Sequence, residues 1–219
     1  MKNEFNHKLN EGFIGEGLIS KWLQKSRNYN VLPAYEKDIC SGKGPRLFTG
    51  EGDFISPDML VFKSGDIRWV EAKTKSLFSW HRISEEWVTG IDIRHFHHYL
   101  RVKSISEFPL YIMFLHTKSR GDKRLEPYPC PTGLFCNEID YLRSNFNHKS
   151  EPYSNGNGWG KTGMVYWNTK QLKLIAPLVE VLGVRAGSII DELSVNYTQS
   201  VSQELIKITP GNLEQVELF

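Results

Sequence analysis

Residues 56–76 (SPDMLVFKSGDIRWVEAKTKS) constrain the fold of this chain more than any other stretch, because they carry the pattern of a β-hairpin. Two apolar-rich runs flank the polar turn at residues 63–66 (KSGD), which is the usual signal for two antiparallel strands. With the tip at Ser64-Gly65, the pairing runs back along the hairpin and puts Asp58 opposite Glu71. Lys73 lies on the same face, because side chains alternate along a strand. The sequence thus predicts three charged groups at the open end of an otherwise apolar hairpin.

These three groups suit one kind of chemistry. Two facing carboxylates repel each other and need a cation or a proton. Asp58 and Glu71 offer the oxygen ligands that Mg²⁺ prefers, and the carbonyl of Ala72 can add another. Such an ion polarises a phosphodiester oxygen and lowers the pKa of a bound water. Lys73 can orient or deprotonate that water and stabilise the developing negative charge. The cluster therefore predicts metal-assisted phosphodiester hydrolysis, and an ordinary charge cluster on a surface hairpin is the alternative.

Three further elements are predicted around the hairpin. Apolar residues at spacings of three to five predict a helix over residues 5–25, and Gly12, Gly15 and Gly17 within it indicate close packing against its backbone. The sequence predicts a second helix over residues 92–104 and a buried strand over residues 109–116. A hairpin followed by a helix and a buried strand is typical of an α/β domain.

Pro57-Asp58 followed by Glu71-Ala72-Lys73, with these elements in this order, resembles the PD-(D/E)xK nuclease superfamily. The resemblance covers about the first 116 residues. It implies the restriction-endonuclease-like fold, an α/β three-layer core with a mixed β-sheet flanked by helices. It also implies a further catalytic acid on the first helix, Glu16, and a polar or aromatic residue on the helix after the motif, for which His95, His98 and Tyr99 are matches. The implied cofactor is Mg²⁺, or Mn²⁺, and the implied substrate is DNA rather than RNA. A catalytically inactive, nuclease-like nucleic-acid-binding module is the alternative.

The charge distribution points to where nucleic acid would bind. The chain carries a net charge of only +2, yet residues 73–124 hold ten Lys and Arg against five Asp and Glu. A basic section of this kind suits a polyanionic partner, although a solvated basic face has the same composition. The predicted nucleic-acid contacts are Lys75, Trp80, His81, Arg82, Arg94, His98 and Tyr99.

The sequence also predicts the domain organisation and the remaining elements. We expect a nuclease-like core over residues 1–125, a C-terminal extension over 126–187 packed on it, and a weakly structured tail over 188–219. Within these, the sequence predicts loops at 36–52 and 150–162, an irregular stretch at 77–90, a strand at 163–167, and helices within 137–142 and from 169 to about 176. The loop at 150–162 is glycine-rich, and its closure over substrate is a hypothesis.

Other kinds of site fit poorly. Asp53 is a rival for the site aspartate but precedes the predicted strand, and His95 and His98 lack a third zinc ligand at suitable spacing. The GNGWGKT stretch at 156–162 lacks the first glycine of a phosphate-binding loop. Three cysteines without a C-x-x-C pair indicate free thiols in a reducing compartment. The chain has no signal-peptide or membrane-spanning pattern, so we expect a soluble, cytoplasmic protein. Cutting both strands of a duplex would favour a homodimer.

Overall fold

The computed structural model describes residues 2–34, 45–119, 129–150 and 163–183, and of residues 2–11 only the backbone. The predicted loop beyond Ser150, the predicted tail and Cys40 lie outside the described residues. A six-stranded mixed sheet with helices on both faces confirms the predicted α/β class. The helices are α1 (Lys2–Arg27), α2 (Ile93–Ser106), α3 (Ile139–Ser144) and α4 (Leu178–Val181). The strands are β1 (Asn30–Pro33), β2 (Arg46–Thr49), β3 (Gly52–Ile55), β4 (Met59–Lys63), β5 (Asp66–Lys75), β6 (Ser79–His81), β7 (Glu86–Asp92), β8 (Leu110–His116), β9 (Gly133–Glu138), β10 (His148–Ser150), β11 (Met164–Asn168) and β12 (Lys173–Ala176).

The main sheet has the strand order β1-β4-β5-β8-β9-β12. Neighbouring strands run antiparallel except for β5 and β8, which run parallel. A parallel pair requires a long crossover, and the chain between β5 and β8 includes α2. β8 is the predicted buried strand, with six of its seven residues buried.

The predicted hairpin forms with the predicted register. Lys63 pairs with Asp66, Phe62 with Ile67, and the ladder of β4 and β5 ends where Met59 pairs with Val70. Gly65 has a φ of +75°, which explains the glycine at the tip of this turn. β5 continues five residues beyond the end of this ladder, so among the described strands its last part pairs with β8 alone.

One face of the main sheet packs against α1 and α4. Val70 and Ala72 of β5 point to this face, where Ile19, Trp22 and Leu23 of α1 are buried. The apolar stripe predicted for α1 extends too far towards the N-terminus, because Phe13 and Ile14 are 61% and 51% exposed. Gly15 is the point of closest approach, since a Cβ atom there would lie 1.5 Å from Oγ1 of Thr74. Gly12 and Gly17 would meet nothing within 4 Å in the described part of the chain, where one of the three predicted close contacts therefore forms.

The other face of the main sheet packs against α2, α3 and a second sheet of order β10-β11-β7-β6. Residues 77–90, predicted to be irregular, instead contain β6 and most of β7. α2 begins as predicted, because Asp92 accepts a hydrogen bond from the backbone of Arg94 at its N-terminus (2.7 Å). The helices and second sheet on this face and α1 on the opposite face form the outer layers of the predicted three-layer arrangement.

The C-terminal part of the chain belongs to both sheets rather than forming an appendage. β9 and β12 extend the main sheet, and β10 and β11 belong to the second sheet. The predicted boundary at residue 125 therefore falls between two neighbouring strands of one sheet. The predicted strand at 163–167 forms as β11, but the predicted helix from 169 is a turn followed by β12. The short helix within 137–142 begins only at Ile139, after β9.

Residues 46–55, of which 46–52 were predicted to be loop, form the small antiparallel hairpin of β2 and β3. This hairpin packs on α2, where Glu51 pairs with Arg101 and the backbone N–H of Ile55 donates to Nδ1 of His98 at 3.3 Å. Among the described residues, no helix is both long enough and apolar enough to cross a membrane.

Candidate active site

Asp58 lies one residue before β4, at the open end of the hairpin. Extending the register of Met59 and Val70 by one residue places Asp58 opposite Glu71, as predicted. Oδ2 of Asp58 accepts a hydrogen bond from the backbone N–H of Ala72 at 2.8 Å. Because the N–H and C=O groups of a strand residue point to the same side, the Ala72 carbonyl also points to the Asp58 side of β5.

Glu71 is completely buried, on the face of the sheet covered by α2. Its Oε1 atom pairs with the ammonium group of Lys73 and accepts a hydrogen bond from the Tyr99 hydroxyl at 2.5 Å. Its Oε2 atom is buried and has no hydrogen-bond partner among the described residues. Burial, and after it the charge of Asp58, raises the pKa of Glu71 to about 8. This carboxylate therefore lacks stabilisation on one oxygen.

Lys73 is a stable cation in this setting. Burial alone would lower its pKa, but the carboxylates of Glu71 and Asp58 outweigh burial and raise it. Glu16 contributes in the same direction, so α1 brings Glu16 within electrostatic reach of Lys73. Lys75 lies two residues further along the same face, and burial, followed by the charge of Lys73, lowers its pKa.

α2 supplies the group that supports Glu71. Tyr99 is only 1% exposed, and burial together with the Glu71 charge raises the pKa of its phenol well above the usual 10. This burial contradicts the predicted contact between Tyr99 and nucleic acid, because the hydroxyl is directed at Glu71 instead. His95, one turn earlier, has Nδ1 3.3 Å from the Tyr99 hydroxyl. A tyrosine in the apolar stripe of a helix needs a hydrogen-bond partner for its hydroxyl. The position of Tyr99 in that stripe was therefore the sequence signal for its contact with a buried polar group.

The other predicted nucleic-acid contacts are spread over the surface. Arg94 is exposed on the first turn of α2, next to His95. Trp80 and His81 are half-buried on β6, the edge strand of the second sheet, and Arg82 is exposed just after it. The described contacts join none of these three to Asp58, Glu71 or Lys73. His98 is half-buried beneath the β2–β3 hairpin, where its Nδ1 atom is occupied by Ile55.

The rival aspartate is engaged elsewhere. Asp53 lies on β3 and forms a salt bridge with Arg46, and that hydrogen bond is the main cause of its lowered pKa. The structure thus brings Asp58, Glu71, Lys73 and the Ala72 backbone together, with Glu16 near them, and leaves Asp53 outside.

The described residues contain no group of three or more His, Cys, Asp or Glu side chains placed to hold a metal ion. The site offers two carboxylates and a backbone carbonyl instead. That set is too small for a closed zinc site, which takes four protein ligands. It fits Mg²⁺, which usually keeps several waters and is held by one or two carboxylates. The partnerless Oε2 atom of Glu71 is the observation that supports this fit.

The sequence matches no protein-family model, and no curated protein matches it. In three dimensions the chain is similar to Hjc, a Holliday junction resolvase from the archaeal hyperthermophile Archaeoglobus fulgidus. The match covers 73% of this chain and 90% of that chain, with 8% sequence identity and a TM-score of 0.42. A likeness of that strength decides neither the family nor the activity of this chain, so membership of the PD-(D/E)xK superfamily stays a prediction.

Proposed function

We propose that this protein is a metal-dependent nuclease that hydrolyses phosphodiester bonds of DNA. The observation that carries the proposal is the Glu71 carboxylate, which is fully buried opposite Asp58 with one oxygen lacking any described partner. A buried carboxylate oxygen without a donor is costly, and a second carboxylate beside it increases the cost. A divalent cation removes both penalties at once.

Asp58, Glu71 and the carbonyl of Ala72 would hold the ion, Mg²⁺ or Mn²⁺. When bound, the ion polarises a phosphate oxygen and makes a bound water more acidic. The hydrogen bond from the Tyr99 hydroxyl fixes the position of Oε1 of Glu71, so the other oxygen, Oε2, points away from Tyr99. The hydrogen bond from the Ala72 N–H fixes Oδ2 of Asp58 in the same way.

Lys73 would act as a fixed positive charge. Because the two carboxylates raise its pKa, its ammonium group does not accept a proton from water at neutral pH. It stabilises instead the negative charge that develops on the phosphate during attack. Of the two roles expected for Lys73 from the sequence, this raised pKa favours charge stabilisation over deprotonation.

Contacts with the DNA backbone would come from basic groups around the site. Lys75 lies two residues beyond Lys73 on β5, Arg94 directly precedes His95 on α2, and Arg82 directly follows β6. Phosphate contacts of this kind give an affinity that falls steeply with salt. Cleavage of both strands of a duplex favours a homodimer, which analytical ultracentrifugation with and without DNA would detect.

The deciding experiment is cleavage of single- and double-stranded DNA and RNA of defined sequence with Mg²⁺, Mn²⁺ or a chelator. We expect metal-dependent cleavage of DNA, and its loss in Asp58→Asn, Glu71→Gln and Lys73→Met. Asp53→Asn is the matched control, because it removes the same charge from the rival position and should retain full activity. If the protein binds DNA without cutting it, it is the inactive binding module. Undiminished cleavage by Glu71→Gln would refute the proposed site.

A further inference from the structure

One face of β5 carries three charged side chains in a row. Glu71, Lys73 and Lys75 are alternate residues of this strand, so all three point to the same face of the sheet. Consecutive members of the row are about 6.6 Å apart along the strand. Asp58 lies opposite the Glu71 end, so the row leads from the proposed metal ligands through Lys73 to Lys75.

The two lysines differ in what they contact. The ammonium group of Lys73 pairs with Oε1 of Glu71. Lys75 is half-buried, yet it forms no hydrogen bond or salt bridge with any described residue. The described charge that acts on it most is that of Lys73, and burial followed by this repulsion lowers the pKa of Lys75. A half-buried ammonium group without a counter-charge is unfavourable, so an anion near Lys75 would stabilise it.

The surroundings of Lys75 in the described part of the chain do not supply that anion. The parallel register of β5 and β8 places His116 beside Lys75. Burial, and after it the Lys75 charge, lowers the pKa of His116 to about 3, so this ring is neutral at physiological pH. Phe78 stacks on the His116 ring with 3.6 Å between the ring centroids. On the other side of β5, no described strand pairs with it beyond Val70. Lys75 therefore lies between a neutral wall and a strand edge that the described strands leave unpaired.

We propose that the Lys75 ammonium group binds the DNA phosphate next to the scissile phosphate. This role rests on the proposed nuclease function. The scissile phosphate would be bound by the metal site and Lys73, and Lys75 is the next cation along β5, on the side away from the metal ligands. Each further phosphate of the strand carries the single negative charge that Lys75 lacks. Such a contact sets the position of the strand and reads no base, so Lys75 is a positioning residue.

Single-turnover cleavage of a DNA with one mapped cleavage position tests this subsite. Lys75→Met should raise the half-saturating protein concentration at least about tenfold and leave the maximal rate unchanged. Lys75→Arg keeps the positive charge and should have a smaller effect. Lys21→Met removes the same charge from an exposed position on α1 and should bind and cleave normally.

Uncharged phosphates in the DNA show which contact is lost. A methylphosphonate in place of one phosphate that flanks the scissile phosphate should weaken binding by the unaltered protein about as much as Lys75→Met does. The same DNA should not weaken binding by Lys75→Met any further, because the contact is already absent. The measurement on the unaltered protein needs no variant, so it remains decisive if Lys75→Met does not fold.

Thermal unfolding without DNA provides a readout that does not depend on activity. Methionine has a similar length and no charge, so Lys75→Met should raise the melting temperature by about 2–4 °C. A lysine that serves the fold would lower it on replacement.

Four results would overturn the subsite. They are binding by Lys75→Met within about twofold of the unaltered protein, a lowered melting temperature in that variant, equal effects of the methylphosphonate on both proteins, and no effect of it at either flanking position. With cleavage by the unaltered protein intact, each of these results removes the subsite and leaves the nuclease proposal standing. If the unaltered protein cleaves no DNA, the nuclease proposal itself fails, and the subsite fails with it.

Discussion

The substitution Gly15→Ala tests whether close packing or helix propensity has the larger effect on stability at this position. An added Cβ atom would lie 1.5 Å from Oγ1, 2.7 Å from Cβ and 3.0 Å from Cγ2 of Thr74. Rotation of the threonine side chain can move Oγ1 but not its Cβ atom, so α1 or β5 must shift. Overpacking of this kind costs up to about 3 kcal/mol, and the better helix propensity of alanine returns about 1 kcal/mol. We therefore expect Gly15→Ala to be destabilised by about 2 kcal/mol.

Gly17→Ala and Gly12→Ala are the controls in the same helix. An added Cβ atom meets no described atom within 4 Å at either position, so each should gain about 0.5–1 kcal/mol. Urea unfolding followed by circular dichroism measures the differences. With an m-value of about 3 kcal/mol/M, Gly15→Ala should lower the midpoint by about 0.7 M. Gly15→Ala that is as stable as Gly17→Ala would refute the close approach of α1 to β5.

The same substitution bears on the candidate site. Glu16 follows Gly15 directly, and its charge acts on Lys73. A shift of α1 away from β5 would carry Glu16 away from the site. We expect Gly15→Ala to lose cleavage activity at temperatures where it is still fully folded, whereas Gly17→Ala should not. Equal activity in both folded variants would contradict this expectation.

Three further outcomes follow from individual groups. His116 is completely buried, and burial lowers its pKa from 6.5 to about 3. As the pH falls, the unfolded chain therefore binds a proton at this residue at a higher pH than the folded protein does. The free energy of unfolding should fall by about 2 kcal/mol between pH 7 and pH 5 through this residue. His116→Leu should remove that part of the pH dependence in urea unfolding, and His97→Leu should not. In the presence of a chelator, Asp58→Asn should be at least as stable as the unaltered protein. Mg²⁺ or Mn²⁺ should raise the melting temperature of the unaltered protein but not that of Asp58→Asn, which thermal unfolding measures. Arg94→Ala should weaken DNA binding irrespective of sequence and reduce the slope of log affinity against log salt by about 1, whereas Arg143→Ala, exposed on α3, should leave the slope unchanged.

The central hairpin could be predicted because its determinants are local. A glycine turn and apolar runs on either side fix the pairing of β4 and β5 within about twenty residues of sequence. The facing positions of Asp58 and Glu71 follow from that register without knowledge of the rest of the fold. The same holds for α2, whose start is set by the side chain of Asp92.

Two of the misassigned strands, β7 and β12, have distant partners, whereas β6 pairs with β7 and β2 with β3 across short turns. β7 pairs with β11, and β12 pairs with β9, so the hydrogen bonds that make them strands come from remote parts of the chain. The turn between β6 and β7 has no glycine, and Glu85 adopts a φ of +51° there. Local patterns cannot report such pairings, and residues 169–176 consequently look like a capped helix when considered alone.

The exposed end of the α1 stripe has a related cause. Periodicity shows which residues share a face of a helix, but it does not show how far the neighbouring sheet extends. Ile19, Trp22 and Leu23 lie over the sheet, whereas Phe13 and Ile14 do not lie over its core. The resemblance gave Tyr99 as one of three candidates on the helix after the motif, but its contact with Glu71 was not predicted, because its aromatic ring fits the apolar stripe of that helix.

The distribution of donors around Glu71 bears on the proposal that this carboxylate holds a cation. A buried ion pair that serves stability alone needs donors on both carboxylate oxygens, because desolvation otherwise exceeds the Coulombic gain. Here both donors, Lys73 and Tyr99, meet Oε1, while Oε2 has none among the described residues and Asp58 adds a second negative charge. Burial and the charge of Asp58 raise the pKa of Glu71 to about 8, so ionising Glu71 in this cluster at neutral pH costs free energy. Such a cluster is destabilising by itself and is relieved by a cation, which is the property that the proposed catalytic ion requires of its site.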